Sequence, residues 1–234
     1  MIPDERRKEI LELLDEKGYV SVKDLSQRLY VSLPTIRRDL TLLEREGYVL
    51  RTHGGASLSI SDSFVEPFAL RKKTNLEAKK YIGKIAASLI HNNDTLFITS
   101  SSTCLEFANH IKPDLRLNIL TNGMPLAQKL SENNNVTVEC PAGIYNYFHE
   151  GIYGKEVKEL ISKRYAQYCF TSCNGIDLIN GLTFSTDLDM TLIRACRDNC
   201  DQLIVLADHT KFGMTYYFKT LSIKEIDVII TDQE

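Results

Sequence analysis

Hydrophobic residues recur at helical spacing along the first part of the chain. Val22, Leu25 and Leu29 share one face, and Ser21 just before them is placed to cap the helix that they predict. An earlier helix is predicted over Pro3–Lys17, with a glycine directly after it to end it. The chain therefore opens with two helices, the second of which is short and begins at a polar cap.

A third helix is predicted to begin after a tight turn at residues 30–31. Ser32 can cap this helix, and Pro34 falls in its first turn, where the missing N–H costs nothing. Ile36, Leu40 and Leu43 form an apolar face, whereas the opposite face carries threonine and arginine, which suit base edges and phosphates. This is the layout of a helix-turn-helix, and an ordinary amphipathic helix with a solvated basic face is the alternative. The candidate DNA contacts on the third helix are Ser32, Thr35, Arg37, Arg38 and Thr41.

The segment after the third helix has the pattern of a small hairpin. Residues 48–51 have the composition of a strand, and Gly54-Gly55 predicts a turn. Three helices followed by a hairpin make a winged helix-turn-helix, in which Arg51 and His53 are expected on the wing near the phosphates. For His53, a loop position without any DNA contact is the alternative.

Beyond residue 75, short apolar runs typical of buried strands alternate with amphipathic helical segments. Strand and helix in turn predict a Rossmann-like α/β domain with a largely parallel sheet. The predicted strands are residues 95–99, 117–121, 136–140, 168–171, 203–207 and 228–230. The predicted helices are residues 75–90, 103–111, 125–130, 155–163 and 189–197.

A change of composition separates the two halves of the chain. Residues 57–63 are small and polar, and Pro67 is expected to break any helix there. We therefore predict an α/β class of fold in which a winged helix-turn-helix domain, residues 1–57, precedes a larger α/β domain. A linker is predicted over residues 58–74, and the α/β domain over residues 75–234.

Composition and charge narrow the class of protein. Hydrophobic residues make up 43% and charged residues 25% of the 234 positions, as in ordinary soluble proteins. The formal net charge is −3, so DNA binding must rest on local charge and not on a basic coat. No apolar run approaches the ~20 residues of a membrane span. The first residues also lack the hydrophobic core of a signal peptide, so we expect a cytoplasmic protein without a membrane partner.

The six cysteines are expected to be free thiols, as is usual in the cytoplasm. Cys169 and Cys173, and likewise Cys196 and Cys200, have a spacing that also permits a four-thiolate zinc site, which is the alternative. Cys169 lies in an apolar run that indicates a buried strand, where free cysteine is common. We therefore expect neither a metal site nor a cofactor.

Polar residues follow the predicted strands of the second half. In parallel sheets, ligands bind outside the carboxyl ends of the strands. The hydroxyl run at residues 100–103 opens a helix, where N–H groups and the helix dipole favour an anion, and Lys211 adds a cation. These groups suit a phosphorylated, hydroxyl-rich small molecule, and the alternative is a helix cap at Ser102 with ordinary turns elsewhere. The candidate effector contacts are Ser100, Ser101, Ser102, Thr103, Asn122, Gly143, Asn174, Gly175, Asp177 and Lys211.

Ordered motifs run through nearly the whole chain. In the first half they are Thr35-Ile36-Arg37-Arg38-Asp39-Leu40 and Arg51-x-His53-Gly54-Gly55-Ala56. In the second half they include Asn174-Gly175-Ile176-Asp177 and Ala207-Asp208-x-x-Lys211-Phe212-Gly213. Together these motifs closely resemble the DeoR family of transcriptional regulators.

The resemblance implies a function and a set of partners. It implies a transcriptional regulator, expected to repress sugar-catabolism genes, that binds a double-stranded DNA operator as a homo-oligomer, either a dimer or a tetramer. It further implies that the C-terminal domain serves oligomerisation and senses a small phosphorylated sugar. That domain is similar, in this family, to ribose-5-phosphate isomerase and related sugar-phosphate enzymes.

An enzyme of the sugar-phosphate isomerase type with a DNA-binding head is the alternative function. The chain departs from the family pattern at Thr99, Ser101, Asn174 and Ile193, where a charged residue or glycine is usual. Proton abstraction beside a carbonyl needs a carboxylate near a lysine. Asp177, Asp189 and Asp208 are the candidate carboxylates, but Ile193 occupies the position of the lysine. We therefore expect a regulator without enzymatic activity.

Overall fold

Residues 3–45, 48–52, 54–58, 68–146 and 149–233 are described by a computed structural model of the chain. The contacts divide the chain into two units, Met1–Phe64 and Val65–Glu234. The candidate His53 and residues 59–67 of the predicted linker lie outside the described residues. Within the described part of the chain, none of the helices is long and apolar enough to cross a membrane.

The first unit is a winged helix-turn-helix, as the pattern predicts. Three helices precede two strands of a hairpin, and a further short strand lies between the first two helices. This extra strand pairs with the second hairpin strand, so the antiparallel sheet has the order β1-β3-β2. The elements are α1 (Pro3–Lys17), β1 (Tyr19–Ser21), α2 (Val22–Leu29), α3 (Leu33–Arg45), β2 (Val49–Thr52) and β3 (Gly55–Leu58).

The helix boundaries of this unit follow from local chemistry. The amide of Asp24 donates to Ser21 Oγ at 3.0 Å and fixes the start of α2. Tyr30 ends that helix in the left-handed conformation, with φ 54°, and forms the tight turn. The predicted apolar face of α3, which includes Ile36 and Leu40, is fully buried in the core of the unit.

A buried ion pair joins the first and third helices. Arg6 Nε donates to Asp39 Oδ2 at 2.6 Å, and Arg6 Nη2 donates to Asp39 Oδ1 at 3.1 Å. Both side chains are buried, and the hydrogen bond to Asp39 raises the pKa of Arg6. The pair holds α1 against the recognition helix through a bidentate contact whose geometry only the fold provides.

The second unit is a Rossmann-like α/β domain. Its main sheet has six parallel strands in the order β14-β12-β9-β4-β5-β6. Its helices are α4 (Phe68–Arg71), α5 (Leu76–Ser88), α6 (Ser102–His110), α7 (Met124–Leu130), α8 (Lys155–Ile161) and α9 (Asp187–Arg197). Its strands are β4 (Thr95–Ile98), β5 (Leu117–Thr121), β6 (Val136–Glu139), β7 (Ile144–Asn146), β8 (Gly151–Tyr153), β9 (Ala166–Thr171), β10 (Gly175–Asp177), β11 (Gly181–Phe184), β12 (Cys200–Leu206), β13 (Phe218–Leu221) and β14 (Val228–Ile230).

The strand order creates a topological switch point between β4 and β9. From β4 the chain winds outward through β5 to β6, and it then returns to the other side of β4 and winds outward through β9, β12 and β14. Apolar side chains of α5, α6 and α7 cover one face of the sheet, and those of α8 and α9 cover the other. Ligands of such open sheets bind in the crevice at the carboxyl ends of the strands, at the switch point.

Several elements of the second unit are absent from the sequence prediction. An antiparallel sheet of order β10-β11-β13 and a hairpin of β7 and β8 accompany the main sheet. Residues 68–71, which the composition assigns to the linker, form helix α4, and Phe68 is fully buried.

Candidate functional site

The candidate DNA contacts on the recognition helix α3 lie on its solvent side. Arg37 and Arg38 are exposed, and Thr35 is partly exposed. Ser32 Oγ lies 2.8 Å from Thr35 Oγ1 and also accepts from the Thr35 amide at 3.4 Å, so it caps the helix. The helix start therefore presents hydroxyls first and guanidinium groups one turn later, a surface that suits base edges and phosphates.

The wing strand is fastened to the recognition helix. Arg51 Nη1 donates to Thr41 Oγ1 at 2.7 Å and lies 3.6 Å from Glu44 Oε2. Thr41 Oγ1 in turn donates to the carbonyl of Arg37 at 2.8 Å. Arg51 is thus held beside α3 by an ion pair with Glu44 and a hydrogen bond to Thr41. The Thr41 hydroxyl proton is already donated to a backbone carbonyl of the same helix.

The hydroxyl run after β4 lies at the switch point of the α/β sheet. Thr99 Oγ1 and Thr171 Oγ1, at the ends of the neighbouring strands β4 and β9, are 2.8 Å apart. Ser101 Oγ accepts from the Cys104 amide at 2.9 Å and is the cap of α6. The alternative that Ser102 caps this helix is therefore wrong, and both Ser102 and Thr103 belong to its first turn.

Two of the candidate effector contacts are occupied by bonds between loops. Asn122 Oδ1 accepts from the Ser100 amide at 2.8 Å, and Asn122 Nδ2 donates to the Ile152 carbonyl at 3.2 Å. Ser100 Oγ donates to the His149 carbonyl at 2.9 Å. Both candidate side chains are buried, and together they fasten the loops after β4 and β5 to the β8 region.

The remaining candidates after β9 also have structural partners. Asn174 Oδ1 accepts from the Ser185 amide at 3.0 Å. A Cβ atom on Gly175 would lie 2.2 Å from the Met214 carbonyl oxygen, so a side chain there would collide with backbone. Asp177 lies at the tip of the β10–β11 hairpin, and hydrogen bonds from the Asn180 amide and side chain and from Thr215 hold its pKa far below the usual range.

Gly143 and Lys211 occupy two further loops of the second unit. Gly143 has φ +151°, and a Cβ atom there would lie 2.5 Å from the Tyr153 carbonyl oxygen, so glycine is needed for the close approach. Lys211 ends a short 3-10 turn that Asp208 caps by accepting from the Thr210 amide at 3.1 Å. Burial raises the pKa of the Cys173 thiol to about 12, and the Lys211 charge opposes this rise, which places the lysine beside the loop after β9.

The sequence analysis did not predict a polar cluster that is formed by Arg71, His149, Tyr153 and Asp189. It considered Asp189 only as a candidate catalytic carboxylate. The Tyr153 hydroxyl donates to Asp189 Oδ1 at 3.1 Å, and the His149 ring stands edge-on to the Tyr153 ring at 6.1 Å between centroids. The Arg71 charge acts on all three other groups. Arg71 lies in the segment that the composition assigns to the linker, so no periodic signal marks it.

Burial controls the protonation of this cluster. It raises the pKa of Asp189 to about 6, with the Arg71 charge and the Tyr153 hydrogen bond acting against the rise. Burial, together with the Arg71 charge, lowers the pKa of His149 to about 4. At neutral pH the cluster therefore holds an ionised Asp189, a neutral His149 and a guanidinium.

One buried nitrogen of this cluster, Arg71 Nε, has no hydrogen-bond partner among the described residues. A buried donor without a partner costs roughly 1–3 kcal/mol, and more on a charged group.

Helix α9 supplies no cation in place of the missing lysine. Ile193 is fully buried in the hydrophobic core, and the guanidinium of its neighbour Arg194 contacts Glu225 and the carbonyl of Thr220. The proton-transfer pair that the enzyme alternative requires thus lacks its basic partner on this helix.

The four-thiolate zinc alternative does not match the cysteine positions. Cys169 interacts with Cys196 and Cys200, whereas the charged neighbours of Cys173 are Lys211 and Asp208. Across the described residues, no group of three or more histidine, cysteine, aspartate or glutamate side chains could hold a metal ion.

A winged helix-turn-helix unit followed by an α/β unit with polar residues at its switch point defines a class of protein, the two-domain DNA-binding regulators. The family model of the DeoR-like helix-turn-helix domain matches residues 6–61, and that of the DeoR C terminal sensor domain matches residues 74–233. The chain belongs to the DeoR family, and it is a DNA-binding transcriptional regulator.

Curated relatives match all or nearly all of the chain. The HTH-type transcriptional regulator GolR of Listeria innocua is 36% identical over 237 residues, which cover 100% of this chain and 92% of GolR. The glycerol-3-phosphate regulon repressor of Escherichia coli is 32% identical over 228 residues, which cover 97% of this chain and 90% of the repressor. The crystal structure of eIF2B delta from Chaetomium thermophilum aligns with a TM-score of 0.52 and 19% identity over 71% of this chain and 59% of that one, a likeness of fold alone.

Proposed function

We propose that this regulator is a repressor whose α/β unit binds a phosphorylated sugar or a related anionic metabolite that alters its affinity for the operator. The observation that carries this proposal is the helix start at the switch point of the α/β sheet. The first turn of α6, with Ser102 and Thr103, opens at the switch point, where helix N–H groups favour an anion. The name of the Escherichia coli relative, a repressor of the glycerol-3-phosphate regulon, supports the same ligand class.

Arg71 and Lys211 are the positive charges that we assign to the effector. Arg71 has an unsatisfied buried Nε, and its charge acts on Asp189, Tyr153 and His149. Lys211 adjoins the loop after β9, on the other side of the switch point from β5. We assign the phosphate to the α6 start and these cations, and the sugar hydroxyls to Asp189 and Tyr153, which can accept and donate hydrogen bonds.

The proposed sensor binds its ligand without transforming it. An isomerase-type enzyme with a DNA-binding head is the second candidate, and the raised pKa of Asp189 is the observation that favours it. Against it, Ile193 is a core residue and Arg194 is bound elsewhere. Incubation of the purified chain with each candidate sugar phosphate, followed by NMR of the mixture, should show the compound unchanged, and conversion at an enzymatic rate would establish the second candidate.

Thermal unfolding in the presence of sugar phosphates tests the effector assignment. Inorganic phosphate, glycerol 3-phosphate and a panel of hexose and pentose phosphates are the probes, because a compound that binds only the folded chain raises its melting temperature. The compound that gives the largest shift is then added to a gel-shift assay with operator DNA, whose binding it should change.

Substitutions at the two cations provide the decisive comparison. Arg71→Ala and Lys211→Ala should each reduce the effector-dependent shift while leaving operator binding without effector intact. Lys84→Ala is the matched control, because Lys84 is an exposed lysine on α5 of the same unit, and it should respond like the parent chain. A full effector response from both cation variants would show that the phosphate assignment is wrong.

A further inference from the structure

The first turn of the recognition helix exposes an apolar side chain that the fold does not use. Leu33 is the first residue of α3 and is 40% exposed. Within the described part of the first unit, the hydrophobic core and the side chains packed against it do not include Leu33. Scattered exposed leucines are ordinary, but this one stands at the end of the helix whose first residues contact base edges in helix-turn-helix proteins.

Leu33 continues the row of candidate DNA contacts on α3. Residues four apart lie above one another on a helix, so Leu33 forms one row with Arg37 and Thr41. The neighbouring hydroxyls of Ser32 and Thr35 are hydrogen-bonded to each other, whereas the Leu33 side chain has no polar group to pair. The row therefore presents an apolar group at the helix start and a cation one turn later.

The chemistry of the major groove leaves one partner for such a group. Leucine cannot satisfy a phosphate oxygen or a base-edge donor or acceptor, and covering one without a hydrogen bond costs free energy. Of the four bases, thymine carries an apolar group on its major-groove edge, the C5 methyl. A leucine at the entrance of the groove gains free energy by covering that methyl group.

We propose that Leu33 determines sequence specificity by packing against the C5 methyl of a thymine in each operator half-site. The inference goes beyond the effector-dependent function proposed above, and it rests on α3 as the helix that enters the major groove. Burying one methyl group is worth about 0.8 kcal/mol, so removal of the thymine methyl should weaken binding about fourfold.

Deoxyuridine tests the contact, because it differs from thymidine by that methyl group alone. The full chain is used to select duplexes from a random-sequence pool, and each thymine of the selected half-site is then replaced by deoxyuridine. The substitution is made in one half-site at a time. At one of its thymines, the parent chain should bind the substituted duplex about fourfold more weakly than the unsubstituted one. Leu33→Ala should bind the two duplexes equally, and Leu33→Met, which keeps an apolar side chain, should retain most of the difference.

Arg38→Ala is the matched control on the same helix. It should bind both duplexes more weakly and still discriminate between them about fourfold, because the methyl contact is intact. The proposal is overturned if Leu33→Ala discriminates as the parent does at every thymine, or if the parent shows no methyl effect at any thymine. A failure of effector sensing leaves each of these DNA measurements unchanged, so the two proposals fail separately.

Discussion

The pKa of Asp189 is set by burial, which raises it, and by two neighbouring groups, which oppose the rise. Loss of water raises its pKa to about 6, and neither the Arg71 charge nor the Tyr153 hydrogen bond fully restores the carboxylate. Above pH 6 the folded chain therefore holds a charge that its surroundings incompletely stabilise. Perturbed pKa values of this kind cluster at functional sites, although structural ion-pair networks also produce them.

Replacement of Asp189 by asparagine should remove this cost. The pKa is raised from 3.8 in the unfolded chain to about 6 in the folded one, so the stabilising effect of the protonated form is full below pH 3.8 and is lost as the pH rises through 6. At pH 7.5 we expect Asp189→Asn to be more stable than the parent by about 1–3 kcal/mol, and the difference to vanish near pH 4. Urea unfolding at both pH values measures this difference in the free energy of unfolding. His149 titrates in both chains, so its contribution cancels from the difference.

Asp187→Asn is the control for this prediction, because Asp187 is exposed on the same helix. Its stability relative to the parent should change little between the two pH values. A lower stability of Asp189→Asn at pH 7.5 would mean that the carboxylate is well compensated in the folded chain.

At the scale of elements, the recognition helix depends on its anchor to α1. Arg6 and Asp39 are both buried, and the pair has bidentate geometry. Breaking a buried pair by removing one partner leaves an uncompensated charge, which typically costs about 3–5 kcal/mol. We therefore expect Arg6→Ala and Asp39→Ala each to destabilise the first unit by this amount in urea unfolding.

Two further variants separate charge from packing in that experiment. The double substitution Arg6→Met with Asp39→Leu removes both charges and should recover most of the lost stability. Lys8→Ala breaks the surface pair with Glu12, whose Nζ–Oε1 distance is 3.4 Å, and should cost less than about 1 kcal/mol. Single variants no less stable than Lys8→Ala would show that the buried pair contributes little.

The exposed face of the same helix is expected to provide affinity for DNA. Arg37→Ala and Arg38→Ala should each weaken operator binding by ~1–3 kcal/mol in a gel-shift titration, because each removes a charged donor from the groove side of α3. Arg197→Ala, in the second unit, is the control and should bind operator DNA like the parent. Parent-like binding by both α3 variants would remove these arginines from the DNA interface.

Helices and strands whose signals lie in adjacent residues were predicted from the sequence, whereas those that depend on distant pairing were not. Helix α1 and strands β5 and β14 have the predicted bounds, because apolar runs, helical spacing and helix-ending residues are properties of adjacent positions. Strand β1 escaped prediction because its three residues become a strand only by pairing with β3, some 35 positions later. Likewise β10, β11 and β13 are short, and β13 pairs with β11 only after helix α9 and strand β12 have intervened in the chain.

The candidate sites follow the same division. The hydroxyl run was predicted at the end of β4, because a strand followed by a helix fixes that position in any α/β fold. Its individual roles were not predictable: Ser101, not Ser102, is the cap, and Ser100 bonds to a loop some 50 residues later. Arg71 escaped notice because only the fold brings its charge to Tyr153 and Asp189.

At the scale of the whole molecule, regulation requires the two units to influence each other. A ligand shifts an equilibrium only through different affinities for its two states, so an effector that weakens operator binding must itself be bound less tightly by the operator complex. The short helix α4, which carries Arg71, is the first described element after residue 58 and hence the part of the second unit nearest in sequence to the DNA-binding unit.

The assembly of the chain is the last prediction. A single winged unit contacts few base pairs, and specific sites generally need two heads on half-sites one helical turn, about 10 base pairs, or its multiples apart. Because closed two-fold symmetry is the usual solution, we expect the larger α/β unit to hold a dimer or tetramer that binds repeated half-sites.

Two measurements test this assembly. Light scattering at micromolar concentration gives the number of chains in the assembly. Insertion of five base pairs between the half-sites turns one head to the opposite face of the DNA and should weaken binding at least tenfold. Insertion of ten base pairs restores the face and is the control. A monomer that binds all three operators equally would contradict the prediction, because a single head cannot sense the spacing.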